Sequence, residues 1–588
     1  MGSPLCGWTG KVLHVDLSSG ETAAFHPSPR VYGQWLGGRG LAGYFLRPHC
    51  TLEWDDPDLP VLFFTGPLAG TAAPSANRGI MLSRSPLTGA VNDCSVGGSL
   101  ALRLKRAGWD GLIITGRSPV PCGIEIDDGG ARVVGTGLWG ETTDAVFDRL
   151  MASGVSVAAI GPAGETGSPL ACVAVDRRHA ALRGGMGACW GFRHLKFLAV
   201  RGAGGVRVRD ESALLAAREA ILRLTAASPV LMGRHGFAHR GTGALYDLMD
   251  ARRMMPTDNF RRTRFETASP PNAEAFRRAY APTSDGCEEC HIRCKLTAAD
   301  GRPIPDYEAM AHFSALIGNR DPELVMAANV LCGRLGLDPV SAAATLACHA
   351  EITGGPCTGR TVVKGLHDMA QGGPLAGGSL AGGSLDFAES CDRPELSMSV
   401  KGLELSAYDP RGACGLALAC AVNTRGGCHR HANPLSHEVL RKPVATDRFT
   451  FSGKARIIKI AEDQNAAADS LAGCPFVFLA AGLEEYARAL SAVTGLDVSA
   501  GDLQARGERI VYRERIMNFL NGFGECDDDL PARFFTEPGT PGGGVVVPPL
   551  NREAFLAARA RYYRVRGLDE EGRPTQAEAA RLQLELQG

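Results

Sequence analysis

Three cysteines lie close together near the middle of the chain, as Cys287, Cys290 and Cys294 in the segment CEECHIRC. Three neighbouring thiols cannot all pair in disulfides, but a tight loop can direct them at one metal centre. Iron–sulfur clusters use cysteine thiolates, often three local and one remote, and Cys474 in DSLAGCPF is the remote candidate. The spacing alone leaves two alternatives open, a zinc site that includes His291 and coincidence.

The overall composition argues against several classes of protein. The 588-residue chain has a net charge of −1, so there is no electrostatic reason to expect nucleic-acid binding or attachment to a charged membrane. Its apolar runs are shorter than the ~18 residues of a spanning helix, and its first residues do not resemble a secretory signal. We therefore expect its 18 cysteines to be reduced, in a cytoplasmic protein.

The pattern of apolar residues changes along the chain. Before about residue 209, short branched runs such as PVLFFTGP, RGIMLSRS, DGLIITGRS and KFLAVRG alternate with turn residues, which predicts strands, interrupted by one helix at about 98–107. Later segments such as ESALLAAREAILRL and PELVMAANVLCGRL have helical spacing. We predict an α+β protein with a β-rich N-terminal domain, 1–208, followed by two mainly α-helical domains, 209–405 with the cysteine motif and 406–588.

Glycine is frequent, at 74 residues, and clusters in segments such as GGRG and RGGMG. Such clusters either form tight turns or let backbone N–H groups approach a ligand closely. The stretch GGPLAGGSLAGGSL, residues 372–385, is predicted to be a mobile surface loop.

Many segments match one family in the same order along nearly the whole chain. They include GWTGKVLHVDLSSGET, FFTGPLAGTAAPSANRGIMLSRSPLTGAVNDCSVGGS, RGGMGACWGFRHLKFLAVRG, the cysteine motif, PDYEAM, LGLD, TRGGCHR and DSLAGC. By these motifs the chain resembles the aldehyde:ferredoxin oxidoreductase family of tungsten- or molybdenum-bispterin enzymes.

The resemblance implies cofactors, a reaction and partners. The cofactors are two pterin-dithiolenes that hold one tungsten or molybdenum atom, and a [4Fe-4S] cluster on the four cysteines. The N-terminal domain binds the pterins, and a Mg²⁺ ion between their phosphates is compatible with the family. The reaction oxidises an aldehyde to a carboxylic acid and passes electrons through the cluster to ferredoxin or to an iron–sulfur or flavin partner subunit. A homodimer is also compatible with the resemblance.

Matching by motif assigns cofactor-facing positions to Arg78, Ser95, Gly97, Arg183 and Gly184. The resemblance gives the two arginines phosphate-side or pterin-side contacts, which suits an anionic cofactor. Without the resemblance, arginines of this kind are usually salt-bridged surface residues.

Two aspartates, Asp338 in LGLD and Asp469 in DSLAGC, are implied to accept hydrogen bonds from pterin amino groups. By residue type alone they are turn or N-cap residues. The chain also departs from the family pattern, because Gly333 stands where the first motif has an aspartate, and Ala472 and Gly473 stand where Gly-Leu is usual. One pterin contact is therefore expected to be lost or replaced.

The resemblance gives catalytic roles to Glu308 in PDYEAM and His429 in GGCHR. The glutamate activates water or moves a proton, and the histidine donates a hydrogen bond near the metal or the substrate carbonyl. A buried glutamate with a raised pKa and a donating histidine suit a reaction that couples electron and proton transfer. His431 is an alternative to His429, and Asp527–Asp529 are predicted to form a solvated acidic patch.

Two other functions remain open from the sequence. One is a catalytic subunit of a multi-subunit reductase complex of the same family, acting on a substrate that is not an aldehyde. The other is a protein without catalytic activity, whose cysteines hold a structural zinc.

Overall fold

The computed structural model describes residues 5–372, 374–375 and 378–586. The strands of the N-terminal region are β1 Val12–Asp16, β2 Thr22–Phe25, β3 Val61–Phe64, β4 Gly79–Arg84, β5 Val91–Val96, β6 Gly111–Thr115, β7 Cys122–Asp127, β8 Gly130–Gly135, β9 Val155–Ala159, β10 Val173–Val175, β11 His179–Ala181 and β12 Leu195–Arg201. The helices of the same region are α1 Pro29–Trp35, α2 Gly38–Leu46, α3 Leu100–Arg106, α4 Thr143–Leu150, α5 Pro162–Glu165 and α6 Met186–Phe192.

The rest of the chain is mainly helical. Its helices are α7 Glu211–Ala226, α8 Pro229–Met232, α9 Phe237–Arg240, α10 Tyr246–Ala251, α11 Ala273–Tyr280, α12 Tyr307–Ala311, α13 Pro322–Leu335, α14 Pro339–Thr353, α15 Gly359–Gln371, α16 Gly383–Ser390, α17 Cys414–Val422, α18 Leu435–Glu438, α19 Lys454–Ser470, α20 Leu483–Thr494, α21 Ala500–Leu520, α22 Arg533–Thr536, α23 Arg552–Arg566 and α24 Gln576–Arg581. Its short strands are β13 Thr283–Asp285, β14 Lys295–Thr297, β15 Pro374–Leu375, β16 Gly378–Ser379, β17 Ser399–Val400 and β18 Leu403–Glu404.

The predicted fold class, α+β with the strands concentrated at the N-terminus, is confirmed. The predicted helix near 98–107 is α3, but the expectation of one helix in this region was wrong, because α1, α2 and α4–α6 are also present. The glycine-rich segment GGRG lies at the start of α2, and RGGMG leads into α6. Because glycine is typical of turns, the sequence pattern did not predict either helix. None of the described helices combines the length and the apolar character that crossing a membrane requires.

The N-terminal strands form two sheets that pack face to face. The first sheet has the order β2-β1-β6-β3-β4-β5 and the second has the order β11-β10-β9-β12-β7-β8. Alternate residues point into the layer between the sheets, where Leu13 and Phe63 from the first sheet share a core with Ile124 and Val173 from the second. The opposite face of the first sheet packs on α2 and α21, and the opposite face of the second packs on α4.

One large apolar core joins many helices of the C-terminal two thirds, whereas α7 and α20 pack in a separate core. The large core includes residues on both sides of position 405, such as Phe313 and Leu416, and therefore does not separate the two predicted helical domains. The predicted domain boundaries at 208 and 405 stay predictions. The glycine-rich stretch 372–385 is only partly described, and its last residues differ from a surface loop. Leu380 is fully buried, and Gly383 and Ser384 begin α16 in a buried position.

Glycines place the backbone of the N-terminal domain directly against the segment that follows α19. A Cβ atom on Gly38 would lie 2.1 Å from the Asp469 carbonyl oxygen, and one on Gly37 would lie 3.0 Å from the Ser470 carbonyl oxygen. A Cβ on Gly66 would lie 2.4 Å from the Leu471 carbonyl carbon. These glycines are therefore required for close packing of two backbones, the second of which leads to Cys474.

The prediction that Asp527–Asp529 form a solvated acidic patch is wrong for Asp528. Asp528 is buried, where it forms ion pairs of 2.7 Å with both Lys401 and Arg515 and accepts a hydrogen bond from Tyr563. Runs of acidic residues are usually solvated, but here opposite charges from two other elements compensate one carboxylate in the interior.

We expect Gly66→Ala to destabilise the protein by about 2 kcal/mol, because the new methyl group overlaps the Leu471 backbone. The matched control is Gly33→Ala in α1, where a Cβ has no neighbour within 4 Å and alanine favours the helix by about 0.5–1 kcal/mol. Calorimetric unfolding of the two variants measures the difference. Equal midpoints would show that this backbone contact is not tight.

Candidate active site

A short hairpin presents the three clustered cysteines. Strands β13 and β14 pair antiparallel, with Thr283 opposite Thr297 and Asp285 opposite Lys295, and the cysteine loop connects them. The loop turns sharply because Glu289 and Arg293 adopt left-handed backbone conformations, with φ of 63° and 50°. The local sequence thus gives the three thiols one common direction.

Cys474 reaches the same place from the loop after α19. Its backbone N–H donates to the Ser75 carbonyl oxygen at 2.9 Å, and the Ser75 hydroxyl lies 3.7 Å from Cys290 Sγ. All four predicted cysteines line one cavity of about 250 Å³. The remote cysteine chosen from the sequence is therefore beside the other three.

The two metal alternatives for these thiols require different spacings of the sulfur atoms. Within the described ranges, no group of three or more His, Cys, Asp or Glu side chains is arranged to hold a single metal ion. A zinc site would draw its sulfurs together around Zn–S bonds of about 2.3 Å. An iron–sulfur cluster spaces its thiolates more widely, because each thiolate binds a different iron atom. The four cysteines that line the cavity, here called the cysteine cage, stay a predicted cluster site.

Arg78, Ser95 and Gly97, for which the resemblance predicts cofactor-facing positions, line the same cavity as the cysteines. Arg78 donates from Nε to the Ser95 hydroxyl and from Nη2 to the Ser95 carbonyl oxygen, both at 2.7 Å. Gly97 permits close approach, since a Cβ there would lie 2.8 Å from both Cys287 Sγ and His179 Nδ1. His179 lines the cavity too, but the sequence contains no motif that identifies it.

Three further arginines give the cavity a cationic wall. Arg183, Arg425 and Arg430 line it, and each has at least one buried guanidinium nitrogen without a hydrogen-bond partner. Arg183 has two such nitrogens, Nε and Nη1. Buried donors of this kind are normally satisfied, so the cavity fits an anionic group with phosphate oxygens. Arg425 and Arg430 belong to the matched segment TRGGCHR, but the sequence analysis assigned them no role.

The remaining predicted cofactor residues lie just behind this wall. Asp338 is the N-cap of α14, accepting from the Val340 N–H at 3.1 Å, and its Oδ2 lies 3.6 Å from Arg183 Nε. Asp469 ends α19 and pairs with Arg430 at 2.5 Å. Gly184 does not line the cavity, and its carbonyl oxygen accepts from Ser85. The structure thus places the two aspartates as supports of cavity arginines.

Glu308 and His429 face each other in the cavity. Glu308 lies in the first turn of α12, which continues as one π-helical turn, His312–Leu316, a feature frequent at functional sites. His429 follows α17 in a loop, its ring centroid 4.8 Å from that of Tyr408. His429 Nδ1 lies 3.3 Å from Glu308 Oε1, yet neither atom makes a well-aligned hydrogen bond. Both polar atoms are available to a bound group.

The surroundings favour neutral forms of both side chains. Burial raises the pKa of Glu308 to about 7, although Arg183 opposes the shift. Burial, together with Arg183, Arg430 and Arg425, lowers the pKa of His429 to about 3. A carboxyl that titrates near neutral pH beside a neutral imidazole can exchange protons with a substrate or water.

The alternative histidine, His431, lies outside the cavity. It is buried against Asp93, with Nε2 2.6 Å from the carboxylate, and Arg39 donates to its Nδ1 at 3.2 Å. This placement satisfies both ring nitrogens and leaves His429 as the histidine that faces Glu308.

The small cavity continues into a larger one of about 1430 Å³. Glu308, His429, Arg78 and Lys295 line both. Small-ligand sites usually occupy about 300–1,000 Å³, so the combined space accommodates a cofactor and a substrate path. Apolar side chains such as Leu440 and Phe476 contribute to the larger cavity, which gives the approach to Glu308 a largely apolar lining.

A cysteine cage, a cationic cavity and an acid–base pair at one place define a cofactor-dependent oxidoreductase site. Comparison with known proteins agrees with this class. The N-terminal domain model of aldehyde ferredoxin oxidoreductase matches residues 12–202, and the model of domains 2 and 3 matches residues 216–584. The chain therefore belongs to the aldehyde ferredoxin oxidoreductase family.

Relatives and a solved structure cover nearly the whole chain. The tungsten-containing aldehyde ferredoxin oxidoreductase of Thermococcus kodakarensis is 34% identical over 97% of this chain and 98% of its own length. That of Pyrococcus furiosus is 33% identical over 96% and 97%. The aliphatic sulfonate oxidoreductase WOR-like subunit of P. furiosus is 26% identical over 96% and 95%. The active-site complex BamBC of benzoyl-coenzyme A reductase has the same fold, with a TM-score of 0.81 at 21% identity over 99% of this chain and 97% of that chain.

We expect the Glu308 carboxyl to be protonated below pH 7 and to ionise as the pH rises through about 7. The pKa of Glu308 in the folded protein exceeds the ordinary value of 4.5. The stability that this carboxyl contributes to the folded protein is therefore complete below pH 4.5 and is lost as the pH rises through about 7. Infrared difference spectra between wild type and Glu308→Gln, recorded against pH, measure the protonated carboxyl band.

The control is Glu323→Gln, which removes a carboxylate whose pKa is lowered by hydrogen bonds from Tyr280 and Arg302. Its difference spectrum should contain no protonated carboxyl band near neutral pH. A Glu308 band that vanishes near pH 4 would contradict the effect of burial described above.

Proposed function

We propose that this protein oxidises an aldehyde to a carboxylic acid at a tungsten- or molybdenum-bispterin centre. Electrons pass through a [4Fe-4S] cluster on Cys287, Cys290, Cys294 and Cys474 to ferredoxin or to an iron–sulfur or flavin partner subunit. The observation that carries the proposal is that these cysteines, four arginines and the Glu308–His429 pair border one cavity. The tungsten-containing relatives at 33–34% identity support the same reaction.

The residues around the cavity suit the proposed cofactor. Arg183, Arg425 and Arg430 have unused guanidinium nitrogens to hold the phosphate and pterin oxygens. Arg78 lies beside Ser95 and the cysteines, and negative charge on the Cys474 and Cys287 sulfurs raises its pKa, although burial opposes the shift. A Mg²⁺ ion between the pterin phosphates is consistent with an anionic cofactor, but none of the described side chains is needed to explain such an ion. When bound, the pterin-held metal supplies the two-electron oxidation.

Glu308 and His429 supply the proton chemistry in this proposal. Glu308 Oε1 takes a proton from the attacking water and can return it, because its pKa of about 7 allows both states near neutral pH. His429 stays neutral and donates a hydrogen bond to the substrate carbonyl oxygen, while Tyr408 holds the plane of its ring. The largely apolar cavity limits water to the molecules that the reaction consumes.

A second candidate function is that of a catalytic subunit in a reductase complex of the same family, with a substrate that is not an aldehyde. The volume of about 1430 Å³ favours it, because this space admits substrates larger than a simple aldehyde. The relative that acts as a sulfonate oxidoreductase subunit is in keeping with such diversity.

Protein purified anaerobically from cells supplied with tungstate and molybdate should contain about four iron atoms per chain and one tungsten or molybdenum. It should reduce a viologen dye with members of an aldehyde panel. Cys290→Ser should lower the iron content, whereas the exposed Cys526→Ser should retain it. Little iron with one zinc per chain would refute the cluster, and full metal loading without aldehyde oxidation would favour the second candidate.

Glu308→Gln should lower kcat for the best aldehyde by about 10²–10⁴-fold, the usual contribution of a general acid–base residue. Metal content should not change, because Glu308 is not assigned as a ligand of the metal or of the cluster. Glu323→Gln on α13, outside the cavity, should keep wild-type kcat. If Glu308→Gln retained the wild-type rate and pH profile, the carboxyl would have no part in proton transfer.

A further inference from the structure

Arg513 on α21 is a buried guanidinium for which the described residues supply no counter-ion. The residue is 8% exposed, and its Nη1 has no hydrogen-bond partner. Its guanidinium lies on the Trp35 ring, 3.2 Å from the centroid, and 5.6 Å from the Tyr44 ring centroid. Within the described part of the chain, no carboxylate forms an ion pair with it. Buried charges in proteins are normally paired, so this arginine requires explanation.

The other buried arginines of the described chain have an acid or a backbone carbonyl oxygen as partner, as Arg193 has in the carbonyl oxygens of Cys189 and Asp56. Arg515, two residues later on the same helix, lies 2.7 Å from Asp528. Arg39 lies 2.6 Å from Glu514. Arg513 therefore differs from its neighbours on these helices, since the described residues supply it with neither an acid nor a carbonyl acceptor.

Two further arginines add positive charge near Arg513, and one of them, Arg509, lies over the same Trp35 ring, 5.8 Å from its centroid. Burial first, and then the charges of Arg47 and Arg509, lower the pKa of Arg513 well below its ordinary value. Arg47, next to α2, donates to the carbonyl oxygens of Glu585 and Leu586 at 3.4 and 3.2 Å. These neutral acceptors orient the side chain without compensating its charge.

Arg509 is placed in the same way. Its Nε donates to the Leu582 carbonyl oxygen at 2.9 Å, and burial lowers its pKa, helped by the charge of Arg506 one turn earlier. The adjacent acids on this helix are engaged elsewhere, Glu508 with Lys459 and Glu514 with Arg39. Burial lowers the pKa of Arg506, although the charge of Asp502 opposes the shift. Positive charge thus accumulates along one face of α21 without an equal number of acids.

Solvent can reach this group of arginines. Arg47 and Arg509 are half-buried, and Tyr44 is 37% exposed. Stacking on Trp35 fixes the plane of the Arg513 guanidinium and leaves its N–H groups to bind in that plane, as in bidentate recognition of carboxylate or phosphate. None of these residues borders the cofactor cavity or the larger cavity.

We propose that Arg513, Arg509 and Arg47 form a second binding site, for a small oxoanion of the phosphate or carboxylate type, where α2 and α21 meet Trp35. The anion compensates three like charges and links the two helices. These helices also carry the Arg39–Glu514 ion pair, and the start of α2 packs on Asp469, so a bound anion stabilises the frame behind the proposed active site.

The test uses cofactor-loaded protein, so that the cavity arginines are occupied. Sodium phosphate and sodium acetate are each titrated against sodium chloride at equal ionic strength, with unfolding temperature and calorimetric binding as readouts. We expect a saturable stabilisation by one or both oxoanions in wild type. Arg513→Met and Arg509→Gln should weaken binding by about tenfold or more, since each removes a charge-assisted hydrogen-bond donor.

The matched control is Arg360→Gln, an exposed arginine on α15, which should bind like wild type. Arg509→Gln keeps the test valid if Arg513→Met does not fold. A response to acetate alone or to phosphate alone supports the site and identifies its ligand. Equal responses in wild type and both site variants, or no response to either anion in wild type, would overturn the proposal.

Discussion

The site depends on the contact between two backbones, one from the N-terminal domain and one from the segment after α19. Glycines at 37, 38 and 66 remove the side chains that would separate the two. The contact fixes where the segment 469–474 lies relative to the sheets, and with it the positions of Asp469 and Cys474. The hairpin β13–β14 brings the other cysteines, so the cage closes only because distant parts of the chain meet without intervening side chains.

Buried positive charge is the second feature that organises the molecule. Several arginines are neutralised by carboxylates inside the protein, as Arg39 is by Glu514 and Arg515 by Asp528. Around the cavity, Arg183, Arg425 and Arg430 keep buried nitrogens that have no hydrogen-bond partner among the described residues. Arg39 and Arg515 also keep one such nitrogen each, so the position of the unused donors at the cavity, and not their presence alone, supports the proposed ligand site.

The Glu308–His429 pair shows how the same arginines affect reactivity. Arg183 opposes the rise in the pKa of Glu308 and adds to the fall in the pKa of His429. Burial dominates in both cases, so both groups are biased towards their neutral forms. A short π-helical turn after Glu308 and the Tyr408 ring beside His429 restrict the geometry of the pair. Position and electrostatics are the contributions of the protein, whereas redox chemistry would belong to the cofactor.

The sequence by itself determined the fold class, the three local cysteines and the helices with clear periodicity, such as α7 and α13, because these follow from local spacing. The choice of Cys474, Glu308 and His429 came from motif resemblance, and their meeting at one cavity was decided by the tertiary structure. Only the tertiary structure shows that His431 lies outside the cavity, that Asp528 is buried and that α2 begins in a glycine-rich segment. It also shows that the described residues supply no acid to Arg513. Each of these depends on partners far away in sequence, which local pattern does not encode.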